Sequence, residues 1–362
     1  MEPVTHSSSS SAHPNDQLPL FIRACYGQAT ERTPIWLMRQ AGRYMAEYRA
    51  IRAKADFWEV CHTPDLATEV TMQPINAFGL DASIIFSDLL IPLPHMGFEV
   101  QFIGGKGPVI TDPINDPKDV ERLKPTPMGE VLSCVGQAAK QIVAELPKDT
   151  PLIGFAGAPF TLASYLIEGG SSKQFMKTKA FLHQHPKEAK ILFDRLTDAS
   201  IQLLNLQIDS GCRAVQIFDS WAGALDPEDY AIWGLPFTQR IVEAVRRPNV
   251  PVIVFAKGTG CYFDLVTQSK ADVYGFDWTL SYTKARELAP HVALQGNLDP
   301  GRLLAPWNEL KPAVDRLLDQ AGDGTGHIFN LGHGIYQHTP VDHVKQLIDY
   351  VQGESHQWRH SK

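Results

Sequence analysis

The sequence predicts an α/β protein, a (β/α)₈ TIM-type barrel with loop insertions at its C-terminal mouth, and three observations carry that expectation. Apolar runs of strand length recur eight times, helix-patterned stretches separate them, and those stretches open on proline and acidic residues. Near-continuous hydrophobicity is what a strand buried on both faces requires, so the runs describe a parallel sheet covered by helices. Strand and helix alternating eight times favour a closed barrel over an open doubly wound sheet.

In chain order the runs are PIWLM (34–38), ASIIF (82–86), PLIGF (151–155), AVQIF (214–218), VPVIVF (250–255), DVYGF (272–276), HVALQ (291–295) and HIFNL (327–331). Their β-branched residues and flanking Gly and Pro favour strand over buried helix. Helix starts stand at Thr63-Pro64-Asp65, His185-Pro186-Lys187-Glu188, Asp226-Pro227-Glu228 and Thr339-Pro340-Val341-Asp342. There the fixed φ of proline and the acidic side chains suit a first turn whose N–H groups lack partners. Residues 98–110 read as a hairpin turning at Gly104-Gly105, followed by a helix from about Pro117 and another from Gly129 to Leu146. This is the elaboration expected at the mouth. Two helices are expected between the third and fourth runs, parted near His185 because the residue before a proline is pushed out of the helical region. GDGTG (322–326) precedes a run instead of following one and reads as a turn at the barrel floor, not a phosphate cradle.

With 362 residues and 44% hydrophobic content the chain can bury one large core, and a single barrel is expected over 18–352. Residues 1–17 hold a serine run, no Arg and no long apolar stretch, and read as a disordered tail rather than a transit peptide; 353–362 read as a polar tail. A net charge of −7 leaves no broad cationic surface for nucleic acid, so an anionic ligand must meet local basic clusters. The cysteines Cys25, Cys61, Cys134, Cys212 and Cys261 show no zinc or redox spacing and fit a reducing cytosol. No segment has eighteen consecutive apolar residues, so a membrane span is not expected.

Active sites of such barrels form at the C-terminal ends of the strands, so the residues after each run are the candidates. They are Arg39, Gln40 and Arg43; Asp88; Gly157, Pro159 and Tyr165; Asp219 and Ser220; Lys257; Asp277; Gln295 and Asn297; and His333. Arg39, Arg43, Arg49, Arg52 and Lys54 concentrate positive charge in an acidic chain and imply a polyanionic ligand, although a charge run is more often a solvated helix face. Arginine suits carboxylates because its planar fork binds them through paired hydrogen bonds and keeps its charge. Asp88 ends IIFSD, where an ionised carboxylate is costly unless it meets donors; the bland alternative, a helix cap, has only Leu89, Leu90, Ile91 and Pro92 to cap. Asp219 resembles it in position but reads as a brace. A buried tyrosine such as Tyr165 more often packs as core, and a lone His333 between Gly332 and Gly334 more often marks a turn. The chain has no GxxxxGK[ST], HExxH or GxSxG motif and no His/Cys ligand set, so nucleotide and zinc mechanisms lack support.

RQAGRY (39–44), IIFSD (84–88), GFAGAPFTLASY (154–165), QGNLDP (295–300) and NLGHGI (330–335) together resemble the uroporphyrinogen decarboxylase family, with the likeness running from about Leu18 to Tyr350. The resemblance implies a homodimeric barrel enzyme of haem biosynthesis in the cytoplasm. It would convert uroporphyrinogen III to coproporphyrinogen III with no metal or organic cofactor. Carried over by position, Arg39 and Arg43 would bind substrate carboxylates, Asp88 would face the pyrrole NH groups, and Tyr165, Ser220 and His333 would line the same cleft, with Gln40 and Arg52 as further cleft positions. Asp88, Arg39 and Arg43 would carry the catalysis. Two other readings compete: a corrinoid or coenzyme M methyltransferase, which would want a thiolate-rich zinc site, and a tetrapyrrole carrier that only binds.

Overall fold

The computed structural model describes residues 18–103 and 107–359. The tail expected over 1–17, the hairpin turn at Gly104-Gly105 and residues 360–362 of the expected C-terminal tail lie outside the described residues. The strands are β1 (Ser83–Ile84), β2 (Val100–Ile103), β3 (Gly107–Ile110), β4 (Leu152–Gly157), β5 (Ala214–Asp219), β6 (Val252–Ala256), β7 (Val273–Gly275), β8 (Ala293–Leu298) and β9 (His327–Leu331). β2 and β3 pair antiparallel as a separate ribbon, and the others form one curled parallel sheet in chain order.

Seven of the eight apolar runs thus supply the strands of that sheet among the described residues. The eighth, 34–38, makes a single parallel bridge, Ile35 to Phe329 of β9. Phe329 N–H donates to Pro34 O at 2.9 Å, and Trp36 N–H donates to Phe329 O at 3.4 Å. On the other side Asp81 N–H donates to Ile35 O at 3.0 Å, while Ile35 N–H donates to the Asp81 carboxylate at 2.8 Å. Pro34 has no N–H to give, and a carboxylate takes the bond a neighbouring strand carbonyl would accept, which reduces a ladder to a bridge. Asp81 is also held by both guanidinium nitrogens of Arg32, at 2.6 and 2.7 Å. The expected strand 82–86 is likewise short. Beyond Ile85, Phe86 N–H turns to Thr71 Oγ1 of the helix Pro64–Phe78 at 3.0 Å.

Two apolar clusters divide the core. One joins the sheet to its surrounding helices. The other lines the inner face, where Trp36, Ala82, Ile153, Ala214, Ile253, Val273, Ala293 and Ile328 pack around Phe21, Ile22, Ala24 and Cys25 of a helix, Leu20–Cys25. Alanines at three of those inner positions leave the room that the helix occupies. Fully burying Phe21 and Ile22 contributes roughly 1.5–3 kcal/mol each. Farther along the same interior the Trp36 indole N–H donates to Gln295 Oε1, and Gln295 Nε2 donates to Gln216 Oε1, both at 2.9 Å.

The helices begin where the sequence places them: Pro64–Phe78, the pair Met176–Gln184 and Pro186–Asp209, a short turn Pro227–Asp229 capped by Asp226, and Val341–Glu354. The helix expected from Pro117 is a 3₁₀ segment, Pro117–Arg122, and the one over 129–146 is divided into Met128–Val131 and Ser133–Glu145. The tail boundary at 353 falls inside the last helix, which a 3₁₀ turn, Ser355–Arg359, continues. Ser355 is buried and its Oγ accepts from Thr33 N–H at 3.0 Å, a tertiary bond that local polarity does not reveal. Among the described residues no helix is long and apolar enough to cross a membrane.

Candidate active site

All main strands run the same way, so the segments that follow them gather at one end of the sheet. Arg39 follows the bridged run 34–38 and has φ 60°, a left-handed conformation that costs a non-glycine residue on the order of 1 kcal/mol or more. Ile335 N–H donates to Met38 O at 3.0 Å, which lays 332–335 along this turn. A Cβ on Gly334 would stand 2.3 Å from Arg39 Cδ, so the missing side chain at 334 leaves the path of the Arg39 side chain open. Backbone strain and a glycine together aim one guanidinium.

Asp88 lies just beyond β1 and is half-buried. Its Oδ1 accepts from Leu90 N–H at 2.8 Å, so the carboxylate does close a local turn. Burial raises its pKa to about 6, while the Leu90 N–H and the positive charge of Arg39 hold it down. The same pair of charges acts on Tyr165, in the helix Pro159–Glu168 after β4: burial and Asp88 push its hydroxyl up to about 12, and Arg39 opposes them. His333, just beyond β9, is driven down to about 3 by burial, then by Arg39 and Lys257. It is therefore a neutral imidazole near pH 7, able to donate and accept hydrogen bonds. Arg39 thus acts on Asp88, Tyr165 and His333, and Asp88 acts on Tyr165.

A row of aromatic rings packs next to His333, a feature that strand ends alone do not reveal. Phe155 of β4, Phe218 of β5 and Phe255 of β6 follow one another with centroid separations of 5.6 and 5.8 Å, and Phe255 lies 6.5 Å from the His333 ring. Phe218 and Phe255 are register partners on adjacent strands. Each looks like ordinary strand core in sequence; only register shows that they align. Ser220 lies at the edge, in a cavity of about 230 Å³ with Trp221 and Lys257, and Trp221 stands 5.9 Å from the Tyr165 ring.

Other expected site residues are placed differently. Gln40 is 1% exposed, accepts from Leu37 N–H at 3.4 Å and leaves its Nε2 unpartnered, so it sits beneath the Arg39 turn instead of on the surface. Arg43 is exposed, and its charge acts on Tyr48. Arg52 donates to Ala55 O at 2.6 Å, lies 5.6 Å from the Phe57 ring centre and helps hold down the Tyr48 hydroxyl. Arg49 donates to Arg43 O and Tyr44 O at 2.8 and 2.9 Å, which makes it a clamp on the backbone of 43–44. Asp277 accepts from Gly258 N–H at 2.6 Å and Thr279 N–H at 2.9 Å, and Asn297 Nδ2 donates to Asp277 O and Leu280 O; both brace loops. Among the described residues no group of three His, Cys, Asp or Glu is arranged to hold a metal ion.

A curled parallel α/β sheet that gathers an arginine, an aspartate and a neutral histidine at the carboxyl ends of its strands has the layout of an α/β enzyme site for an anionic ligand. A family model described as uroporphyrinogen decarboxylase (URO-D) matches residues 16–353. The uroporphyrinogen decarboxylase of Roseiflexus sp. is 48% identical over 337 residues, spanning 91% of this chain and 97% of that protein. Its namesake from Myxococcus xanthus is 46% identical over 338 residues, spanning 93% and 96%. The chain belongs to the uroporphyrinogen decarboxylase family. Among solved structures a methyltransferase from Methanosarcina mazei matches with a TM-score of 0.77 over 92% of this chain and 98% of that one, at 20% identity, a likeness of fold alone.

Proposed function

We propose that this chain decarboxylates the acetate side chains of uroporphyrinogen III stepwise to methyl groups, giving coproporphyrinogen III. Family membership supplies the reaction, and the single observation that carries it to these residues is the gathering of Arg39, Asp88 and His333 just beyond the carboxyl ends of the strands, where the Arg39 charge acts on the other two. The proposal includes closure of the sheet into a (β/α)₈ barrel through 34–38. In support, Ile35 bonds to β9 on one side and to Asp81, just before β1, on the other. It also takes the β2–β3 ribbon as an insertion at the mouth, since Trp58 Nε1–H donates to Val100 O at 2.8 Å and Phe57 contacts both Phe102 and Phe86. The family resemblance extends it to a cytoplasmic homodimer without metal or organic cofactor.

Loss of CO₂ from an acetate leaves an electron pair that needs a sink, and the pyrrole ring can provide it. A proton added to the ring carbon beside the acetate-bearing one makes a cation conjugated with the side chain. The C–CO₂ bonding pair then flows into the ring, CO₂ departs, and an exocyclic methylene remains. Protonation of that methylene gives the methyl group, and loss of the ring proton restores the pyrrole, so each step exchanges one CO₂ for one proton. An ionised Asp88 facing the NH groups stabilises the cation through a preorganised charge, an effect worth roughly 3 kcal/mol in a water-poor site. Arg39 and Arg43 hold carboxylates and so orient the ring, and Tyr165, Ser220 and neutral His333 offer hydrogen bonds without adding charge.

Anaerobic incubation with enzymatically generated uroporphyrinogen III, followed by oxidation and chromatography, tests this. Porphyrins with seven, six, five and finally four carboxylates are expected, in unchanged yield with a chelator present. Absence of decarboxylation, or its abolition by chelator with rescue by zinc, overturns the proposal.

A further inference from the structure

Beyond the arginine side of the site, the cavity of about 230 Å³ bounded by Ser220 and Trp221 has two lysines in its wall, Lys173 and Lys257. The ion-paired lysines among the described residues are Lys190, Lys284, Lys311 and Lys345; neither cavity lysine is among them. The Asp219 carboxylate, at the end of β5, is turned inward to Thr161, and the Asp277 carboxylate accepts from Gly258 N–H at 2.6 Å and Thr279 N–H at 2.9 Å, so both are engaged away from the lysines. Two ammonium groups thus line one hollow of an acidic protein, and among the described residues neither is in an ion pair.

The lysine segments are held in place from their backbones. Lys257 N–H donates to Asp219 O at 3.1 Å and its carbonyl accepts from Gly223 N–H at 2.9 Å, tying the end of β6 to the loop after β5. Gly223 and Gly258 touch so closely that a Cβ on Gly223 would stand 2.7 Å from Gly258 O. Phe175, buried at φ 52°, packs 5.1 Å from the Trp221 ring, and its N–H donates to Ser172 Oγ at 3.0 Å, which holds the segment carrying Lys173. Lys257 also acts on His333, so this hollow is continuous in its electrostatics with the surface that holds Arg39 and Asp88.

We infer that Lys173 and Lys257 form a second carboxylate subsite, which takes a side-chain carboxylate of the tetrapyrrole on the β5–β6 side while Arg39 and Arg43 take others. The inference rests on the proposed decarboxylase reading and adds residues outside the matched motifs. A carboxylate there would meet two cations and the Ser220 hydroxyl beside a rigid backbone, so its ordering costs little.

The test is steady-state kinetics of Lys257→Met, Lys173→Met and Lys257→Arg on uroporphyrinogen III, with anaerobic binding of coproporphyrinogen III to each. Lys257→Met is expected to raise KM about tenfold with kcat within about threefold, and Lys257→Arg to recover most of the loss; Lys173→Met, at the more exposed position, should raise KM about threefold. Weakened coproporphyrinogen III binding identifies a propionate as occupant, and unchanged product binding with raised substrate KM identifies an acetate. Unchanged KM in folded Lys257→Met and Lys173→Met proteins, or a fall in kcat alone, overturns the subsite. Wild-type protein without turnover would overturn the decarboxylase reading instead. Should Lys257→Met fail to fold, the Lys173→Met and Lys257→Arg proteins still decide the question.

Discussion

Asp88 and Asp219 occupy corresponding places, one just beyond β1 and the other at the end of β5, yet their surroundings assign them different work. Asp88 is half-buried, and Arg39 opposes the burial that lifts its pKa to about 6. Asp219 is 1% exposed, takes a hydrogen bond from Thr161 Oγ1 at 2.7 Å, leaves Oδ2 unpartnered and is lifted by burial to about 7. Thr161 Oγ1 in turn accepts from Trp221 N–H at 3.2 Å, so Asp219 supports a loop from behind. A strand-end carboxylate becomes a candidate for chemistry when it is partly exposed and a cation acts on it; otherwise it is a brace.

The comparison breaks most sharply at Asp88→Asn. Turnover is expected to fall by a factor of roughly 10² or more, because Asn keeps the shape and the Leu90 turn but offers no charge to a cationic ring. Ionising Asp88 penalises the fold, a penalty absent below the ordinary carboxylate range and complete above about pH 6, so the melting temperature at pH 7 should hold or rise. In the wild type kcat/KM should decline as pH drops through about 6, and His333, titrating near 3, adds nothing in that window. Preserved turnover in a folded Asp88→Asn protein would reduce Asp88 to a cap.

Replacing its partner sharpens the contrast. Arg39→Lys retains the charge but loses the planar fork, and a loss of about tenfold or more in kcat/KM is expected with the melting temperature unchanged. Near wild-type kinetics would mean that the 39–54 cluster is a solvated face.

The smallest effect is expected at Asp219→Asn: kcat within about threefold of wild type, since the change touches no group that faces Arg39. Because the folded-state pKa of Asp219 is raised, the wild type loses stability as pH climbs from the ordinary carboxylate range through about 7. The variant should therefore melt higher than wild type at pH 8, with the advantage shrinking toward pH 4. A hundredfold loss of turnover would place Asp219 beside Asp88 in the chemistry.

Features whose signals are local were legible in the chain. Seven apolar runs became sheet strands, with HIFNL (327–331) matching β9 residue for residue, and the proline-led helices began where proline and acids put them, because burial pattern and backbone stereochemistry act within a few residues. Positions of Arg39, Asp88, Tyr165 and His333 after those runs were legible for the same reason. Features that depend on neighbours remote in the chain were not legible there. The Asp81 carboxylate intercepts Ile35 and turns a strand into a bridge; Leu20–Cys25, too short to show a helical period, finds its place against inner alanines; and Gln40 folds under the turn that lifts Arg39. Likewise a phenylalanine in a strand reads as core until register sets Phe218 beside Phe255, and the brace expected of Asp219 acquires its partner only when Thr161, remote in the chain, meets its carboxylate. Desolvation and charge pairing are properties of assembled surfaces, and no stretch of sequence carries them alone.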